Sequence, residues 1–325
     1  MKPSDTWGRL AESLLGTATL TSADVAREAG LELAEARRLW RALGFPPVAD
    51  DERIFTPADV EVLRAVRVLL EMKSTHPGDL LQLTRVIGQS LARVADAQGT
   101  AAADRLEQSR TDAVSDDAAH AALVDRIQTL APSLEQFLGY VWRRHVLAAL
   151  RRRLAAPSAA DRTLTVGFAD LVGFTALSQS ITPQELAAIV DRFEAIGYEH
   201  IPERGGRVVK MIGDEIMFAV PDGAFAADIA LALVEACARD SLVPDVRIGL
   251  ASGPTLSWEG DLYGPTVNLA SRLVNFARPG TVLVSDELGA RLTDDPRFEL
   301  RHLRPVRLQG IGRVRPWALR RARLT

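Results

Sequence analysis

The chain has 325 residues, 47% hydrophobic and 25% charged, with 39 lysines and arginines against 42 aspartates and glutamates. That length exceeds one ordinary domain, and the apolar content excludes wholesale disorder. A formal charge of −3 gives no general attraction to nucleic acid or anionic lipid, and a single cysteine, Cys237, excludes an intrachain disulfide and the usual multi-cysteine zinc site.

The start of the chain is polar, and its longest apolar stretch, residues 224–238, is broken by Asp228 and Glu235. Neither a signal peptide nor a membrane span is expected, so the predicted location is the cytoplasm. Up to about residue 150 the pattern is helical. Thr21 caps one helix, and Thr56-Pro57 opens another in which Val60, Leu63 and Val66 recur at helical spacing. Residues 101–119 turn polar and acidic, which predicts a loop or an exposed helix. Residues 137–154 form an amphipathic helix carrying Arg143, Arg144, Arg151, Arg152 and Arg153, and residues 155–162 form a linker. The predicted organisation is a helical domain over 1–154 and a second domain over 163–325.

Beyond the linker the grammar changes. Strands are expected over 163–169, 207–212, 215–220 and 246–251, with helices over 183–200 and 224–239. Thr182, Pro183 and Glu185 supply a cap, a first-turn proline and a capping-box acid, and Gly213-Asp214 suits a tight hairpin. The order βαββαβ is the ferredoxin-like arrangement, so the chain is α+β with an all-α N-terminal part.

Two aspartates stand at strand ends in this second domain: Asp170 in the run Phe168-Ala169-Asp170-Leu171, and Asp214 in the hairpin. Brought together by neighbouring strands, they make an oxygen-rich site suited to magnesium or manganese; each taken alone is equally a turn residue satisfying backbone donors. Farther on, Asn268 and Arg272 lie four residues apart on one helix face, beside an apolar stripe of Leu269, Leu273 and Phe276.

Six positions, Asp170, Lys210, Asp214, Asp261, Asn268 and Arg272, together resemble the class III nucleotidyl cyclases in type, spacing and order. The resemblance implies that Asp170, Asp214 and the backbone carbonyl of Leu171 hold two Mg2+ or Mn2+ ions on a nucleoside triphosphate. It implies that Asn268 orients the ribose and Arg272 stabilises the transition state. Lys210 can donate to N1 of adenine and Asp261 can accept from its amino group, whereas guanine presents the reverse pattern. ATP is therefore the expected substrate and cyclic AMP the product. The resemblance further implies a head-to-tail homodimer, with each site built from both copies. One departure stands out: Gln309 occupies the place of an expected triphosphate-binding lysine, with Arg304, Arg307 and Arg313 nearby.

Residues 21–70 resemble a winged-helix or MerR-type unit. Glu32 and Glu35 open its reading helix, however, and residues 1–150 hold 17 basic against 21 acidic side chains, so nucleic acid is not expected as a partner. The layout is similar to soluble, pH-responsive bacterial adenylate cyclases, which marks the N-terminal part as regulatory and His145, in the arginine-rich helix, as a candidate proton sensor. The alternatives are a catalytically silent nucleotide-binding module and a DNA-binding regulator with a cyclase-like effector domain.

Overall fold

The computed structural model describes residues 3–71, 77–112, 116–155 and 163–322. The chain divides into two compact units, Met1–Arg152 and Arg153–Thr325. Most of the expected linker, 156–162, lies outside the described residues.

The first unit is helical: α1 (Pro3–Leu15), α2 (Ser22–Ala29), α3 (Leu33–Ala42), α4 (Pro57–Glu71), α5 (Pro77–Asp112) and α6 (Asp116–Ala155). Thr21 caps α2 as its sequence predicts. Its hydroxyl accepts from the Asp24 amide, and the Asp24 carboxylate answers by accepting from the Thr21 amide. Val25, Ala26, Ala36, Leu39, Val60 and Leu63 close a core around Trp40, which stacks on Phe55 at 4.5 Å. Residues up to Asp112 of the acidic stretch continue α5, so over these residues the helix alternative holds.

The second unit begins with β1 (Thr163–Leu171), α7 (Phe174–Leu177), α8 (Pro183–Glu203), β2 (Arg207–Ile212), β3 (Glu215–Val220), α9 (Gly223–Arg239) and β4 (Val246–Pro254). It continues with β5 (Leu256–Trp258), β6 (Asp261–Tyr263), α10 (Pro265–Val274), β7 (Val282–Val284), α11 (Asp286–Leu292), β8 (Phe298–His302), β9 (Val306–Leu308), β10 (Gly312–Val314) and β11 (Trp317–Arg321). The main sheet runs β2-β3-β1-β4-β7-β11-β8 and is antiparallel except at β4–β7. Its first four strands have the ferredoxin-like order, and β7, β11 and β8 extend it.

Period-two alternation divides the sheet between two cores. Ala169, Leu171, Ile216, Phe218, Ile248 and Leu250 face Ile189, Phe193 and Ile196 of α8 and the alanine-rich α9. Val166, Phe168, Met217, Ala219 and Ala251 take the opposite face, with Ala270 and Val274 of α10. Helix α10 lies so close to β4 that a Cβ on Gly249 would stand 2.4 Å from the Val274 nitrogen and 2.5 Å from the Ala270 oxygen. Only glycine permits that approach. The stripe α10 buries is Thr266, Ala270, Leu273 and Val274. Phe276, expected on the apolar stripe, lies beyond the end of the helix and is 48% exposed. Among the described residues no helix is long and apolar enough to cross a membrane.

Candidate active site

Asp170 falls on the α10 side of the sheet because it continues the alternation of Val166 and Phe168. Its cross-strand partners are Glu215 on β3 and Arg247 on β4, so three ionisable side chains form one row across three strands. Arg247 donates to the carboxylate from Nε at 2.7 Å and approaches it through Nη2 at 2.6 Å, both toward Oδ2. Asp214 joins from the β2–β3 turn, where Gly213 takes φ +62°, a left-handed conformation that glycine adopts without steric cost. The Leu171 amide donates to the Asp214 carbonyl at 3.2 Å, which ties this turn to the end of β1.

The row is crowded with negative charge. Burial pushes the Asp214 carboxyl above the ordinary aspartate value, and the charge of Asp170 adds to it while Arg247 opposes it. Glu215 is pushed up to about 7, first by burial and then by Asp170 and Asp214. Three acidic groups thus share one adjacent guanidinium, and Oδ1 of Asp170 has no hydrogen bond among the described residues. That donor set fits a hard divalent cation. Among the described residues no three histidine, cysteine, aspartate or glutamate side chains converge to cage an ion. An ion here would therefore draw its remaining oxygens from backbone, water or a bound phosphate.

Lys210 sits on β2 opposite Met217, on the same sheet face. Its Nζ is 2.5 Å from Oδ2 of Asp261 on β6, while Oδ1 of Asp261 accepts from the Leu262 amide at 2.7 Å. Both side chains remain part-exposed, at 39% and 21%. Residues 51 positions apart thereby present an ammonium donor and a carboxylate acceptor side by side.

Asn268 and Arg272 are exposed on α10, one turn apart, and among the described residues their side chains form no hydrogen bond or ion pair. The structure brings Asp170 to Asp214 and Lys210 to Asp261, and leaves Asn268 and Arg272 facing outward. Gln309 lies in the exposed turn between β9 and β10, and Arg304, Arg307 and Arg313 around it are exposed as well. Phe174 packs against the α8–α9 core.

His145 is exposed on α6. His200 on α8 lies 3.4 Å from Nη1 of Arg204 and 3.8 Å from Glu203. His302 stacks on Trp317 at 3.3 Å because β8 and β11 pair these two positions, and its buried Nδ1 has no partner among the described residues. The His120 side chain and His76 lie outside the described residues.

Residues 157–321 match the family described as the adenylate and guanylate cyclase catalytic domain. The chain belongs to that family. Residues 9–150 of this cyclase match the adenylate cyclase regulatory domain. An adenylate cyclase of Streptomyces coelicolor is 37% identical, over 93% of this chain and 86% of its own length. A pH-sensitive adenylate cyclase of Mycobacterium tuberculosis is 31% identical, over 93% of this chain and 78% of its own length. Among solved structures, the adenylyl cyclase CyaB from P. aeruginosa is similar at 22% identity and a TM-score of 0.44, covering 50% of this chain and 95% of that one.

Sequence reasoning about this cyclase missed Arg247 and Glu215. Neither belongs to the six-residue pattern. The available signal was parity: Arg247 interrupts the buried alternation of Val246, Ile248 and Leu250, so it must point to the face opposite theirs. Its pairing with Asp170 needs the strand register, which the sequence does not display.

Proposed function

We propose that this protein converts ATP to 3′,5′-cyclic AMP and pyrophosphate. The observation that carries the reading is the Lys210–Asp261 pair, a donor and an acceptor side by side, with Lys210 on the sheet face that also bears Asp170. An ammonium group has three hydrogens, so Lys210 can keep its bond to Asp261 and still donate to N1 of adenine, while Asp261 accepts from the exocyclic amine. Guanine would set donor against donor and acceptor against acceptor, a mismatch of several kcal/mol, or about 10³-fold.

In this reaction the ribose 3′-oxygen attacks the α-phosphorus, the bond from that phosphorus to the bridging oxygen breaks, and pyrophosphate leaves with the electron pair. Asp170, Asp214 and the Leu171 carbonyl would hold two Mg2+ or Mn2+ ions. Bound there, they supply acidification of the 3′-hydroxyl and charge neutralisation on the triphosphate. Arg272 holds the negative charge that grows on the α-phosphoryl oxygens, and Asn268 orients the ribose for in-line attack. Their outward exposure, with no partner among the described residues, fits a site completed by a second copy. Each site then takes Asp170 and Asp214 from one subunit and Lys210, Asp261, Asn268 and Arg272 from its twin.

The N-terminal unit, residues 1–154, acts as the regulator, with His145 as a proton-responsive position on α6. In its MerR-like segment, Arg37 is paired with Asp50, which favours protein packing over phosphate contact for that surface.

The test is direct. Purified protein is incubated with Mn2+ and each nucleoside triphosphate in turn, and products are identified by mass. ATP is expected to give cyclic AMP at a rate far above any other substrate. Equal turnover of GTP, or no cyclic product from ATP, would reject the assignment.

A further inference from the structure

Of the charged groups near the acidic row, one is spoken for by neither the base-reading pair nor the phosphate-facing helix. Arg247 lies across from Asp170 in strand register, and both of its close approaches, 2.7 Å from Nε and 2.6 Å from Nη2, end on the same oxygen, Oδ2. Its flanking residues Val246 and Ile248 are in the core on the other face of the sheet, so the backbone holds the guanidinium on Asp170's side. The carboxylate is only 16% exposed and the guanidinium 30%. A side chain held this way has one oxygen engaged and one left over.

We propose that Arg247 is a positioning residue: it pins Oδ2 of Asp170 and so presents Oδ1, in one fixed orientation, to a divalent cation. The proposal rests on the reading of Asp170 as a metal ligand. A planar guanidinium can converge two N–H groups, from Nε and Nη2, on a single carboxylate oxygen, whereas an ammonium is a point charge that leaves the carboxylate free to turn. In this role Arg247 acts through Asp170 and not on the nucleotide or the reacting atoms. Its effect should therefore appear in how much metal the site requires and not in the rate once metal is saturating.

The experiment uses the full chain as wild type, Arg247→Gln, Arg247→Lys and Asp170→Asn. Unfolding temperature is followed while Mn2+ is titrated in at constant 3′-deoxy-ATP, which lacks the attacking hydroxyl; kcat and KM for ATP are then measured at saturating Mn2+. For Arg247→Gln, the Mn2+ needed for half of the stabilisation should rise about tenfold, as expected for losing one charge-assisted contact. Arg247→Lys should fall between the two, and kcat at saturating Mn2+ should return to within about threefold of wild type. A wild-type Mn2+ midpoint in Arg247→Gln, even with a lower unfolding temperature throughout, would show a structural role only and overturn the proposal. Should Arg247→Gln not fold, a wild-type midpoint in Arg247→Lys overturns it alone. Asp170→Asn is expected to lose the Mn2+-dependent stabilisation; if it keeps it, the metal reading of Asp170 fails and the role of Arg247 fails with it.

Discussion

In the proposed function, Lys210 and Asp261, which meet across 51 residues of sequence, divide base recognition between two side chains. Lys210→Ala should therefore lower the preference for ATP over GTP by on the order of 10²-fold, measured as the ratio of kcat/KM values, because one contact is lost for adenine and one clash removed for guanine. Asp214→Ala removes a carboxylate from the row beside Asp170 and should depress kcat by about 10³-fold, the worth of several kcal/mol of charge stabilisation. Unchanged turnover would place the metal elsewhere. Cys237, by contrast, is buried in α9 and its thiol is pushed up to about 12 by burial and by the charges of Asp240 and Asp245. Native protein should resist thiol reagents at pH 8, and unfolded protein should react at its one cysteine. The six motif residues could be picked out only as a set, through their resemblance to the class III nucleotidyl cyclases, because an aspartate in a turn or a polar pair on a helix face says little by itself. Arg247 and Glu215 could not, since their importance lies in which strand stands opposite which.

At the scale of the element, α10 carries Asn268 and Arg272 and is seated by the absence of a side chain at Gly249. Gly249→Ala places a methyl group against two backbone atoms of the helix. It should cost about 1–3 kcal/mol of stability and lower activity together, as overpacking in a rigid core does. Calorimetry and turnover on the same sample check this; an unaffected melting temperature would show that α10 is loosely held.

The N-terminus of α2 gives a pH-dependent counterpart. The Asp24 carboxyl is lowered to about 2 by a hydrogen bond from Arg27 and by the amide and hydroxyl of Thr21. A depressed carboxyl stabilises the fold fully above its unfolded value of 3.8 and progressively less as pH falls from there to about 2. The difference in urea-unfolding midpoint between wild type and Asp24→Asn should follow that window. Elements with strong local signals, such as the helix cap at Thr21 and the capping box at Thr182, were legible in the sequence. The three strands that widen the sheet, β7, β8 and β11, were not. They are three to five residues long and owe their pairing to partners distant along the chain.

Regulation and assembly belong to the whole molecule. If residues 1–154 sense protons, a protein starting at residue 156 should show a flat activity profile between pH 5 and 8 where the full chain shows a steep one; identical profiles would remove the N-terminal unit from pH sensing. The division into two units was legible as a change from helical to strand-and-turn patterning. The proposed sharing of the site between two copies comes from the family resemblance alone, because nothing in one chain's composition reveals where a twin would bind. The most direct test of the account is complementation. Asp214→Ala and Arg272→Ala chains, each inactive alone, are co-expressed with different tags and purified through both, so that every dimer is mixed. A site shared between subunits predicts one intact site of two, and so about half the wild-type rate of cyclic AMP formation per dimer; a rate no higher than either variant alone would contradict it.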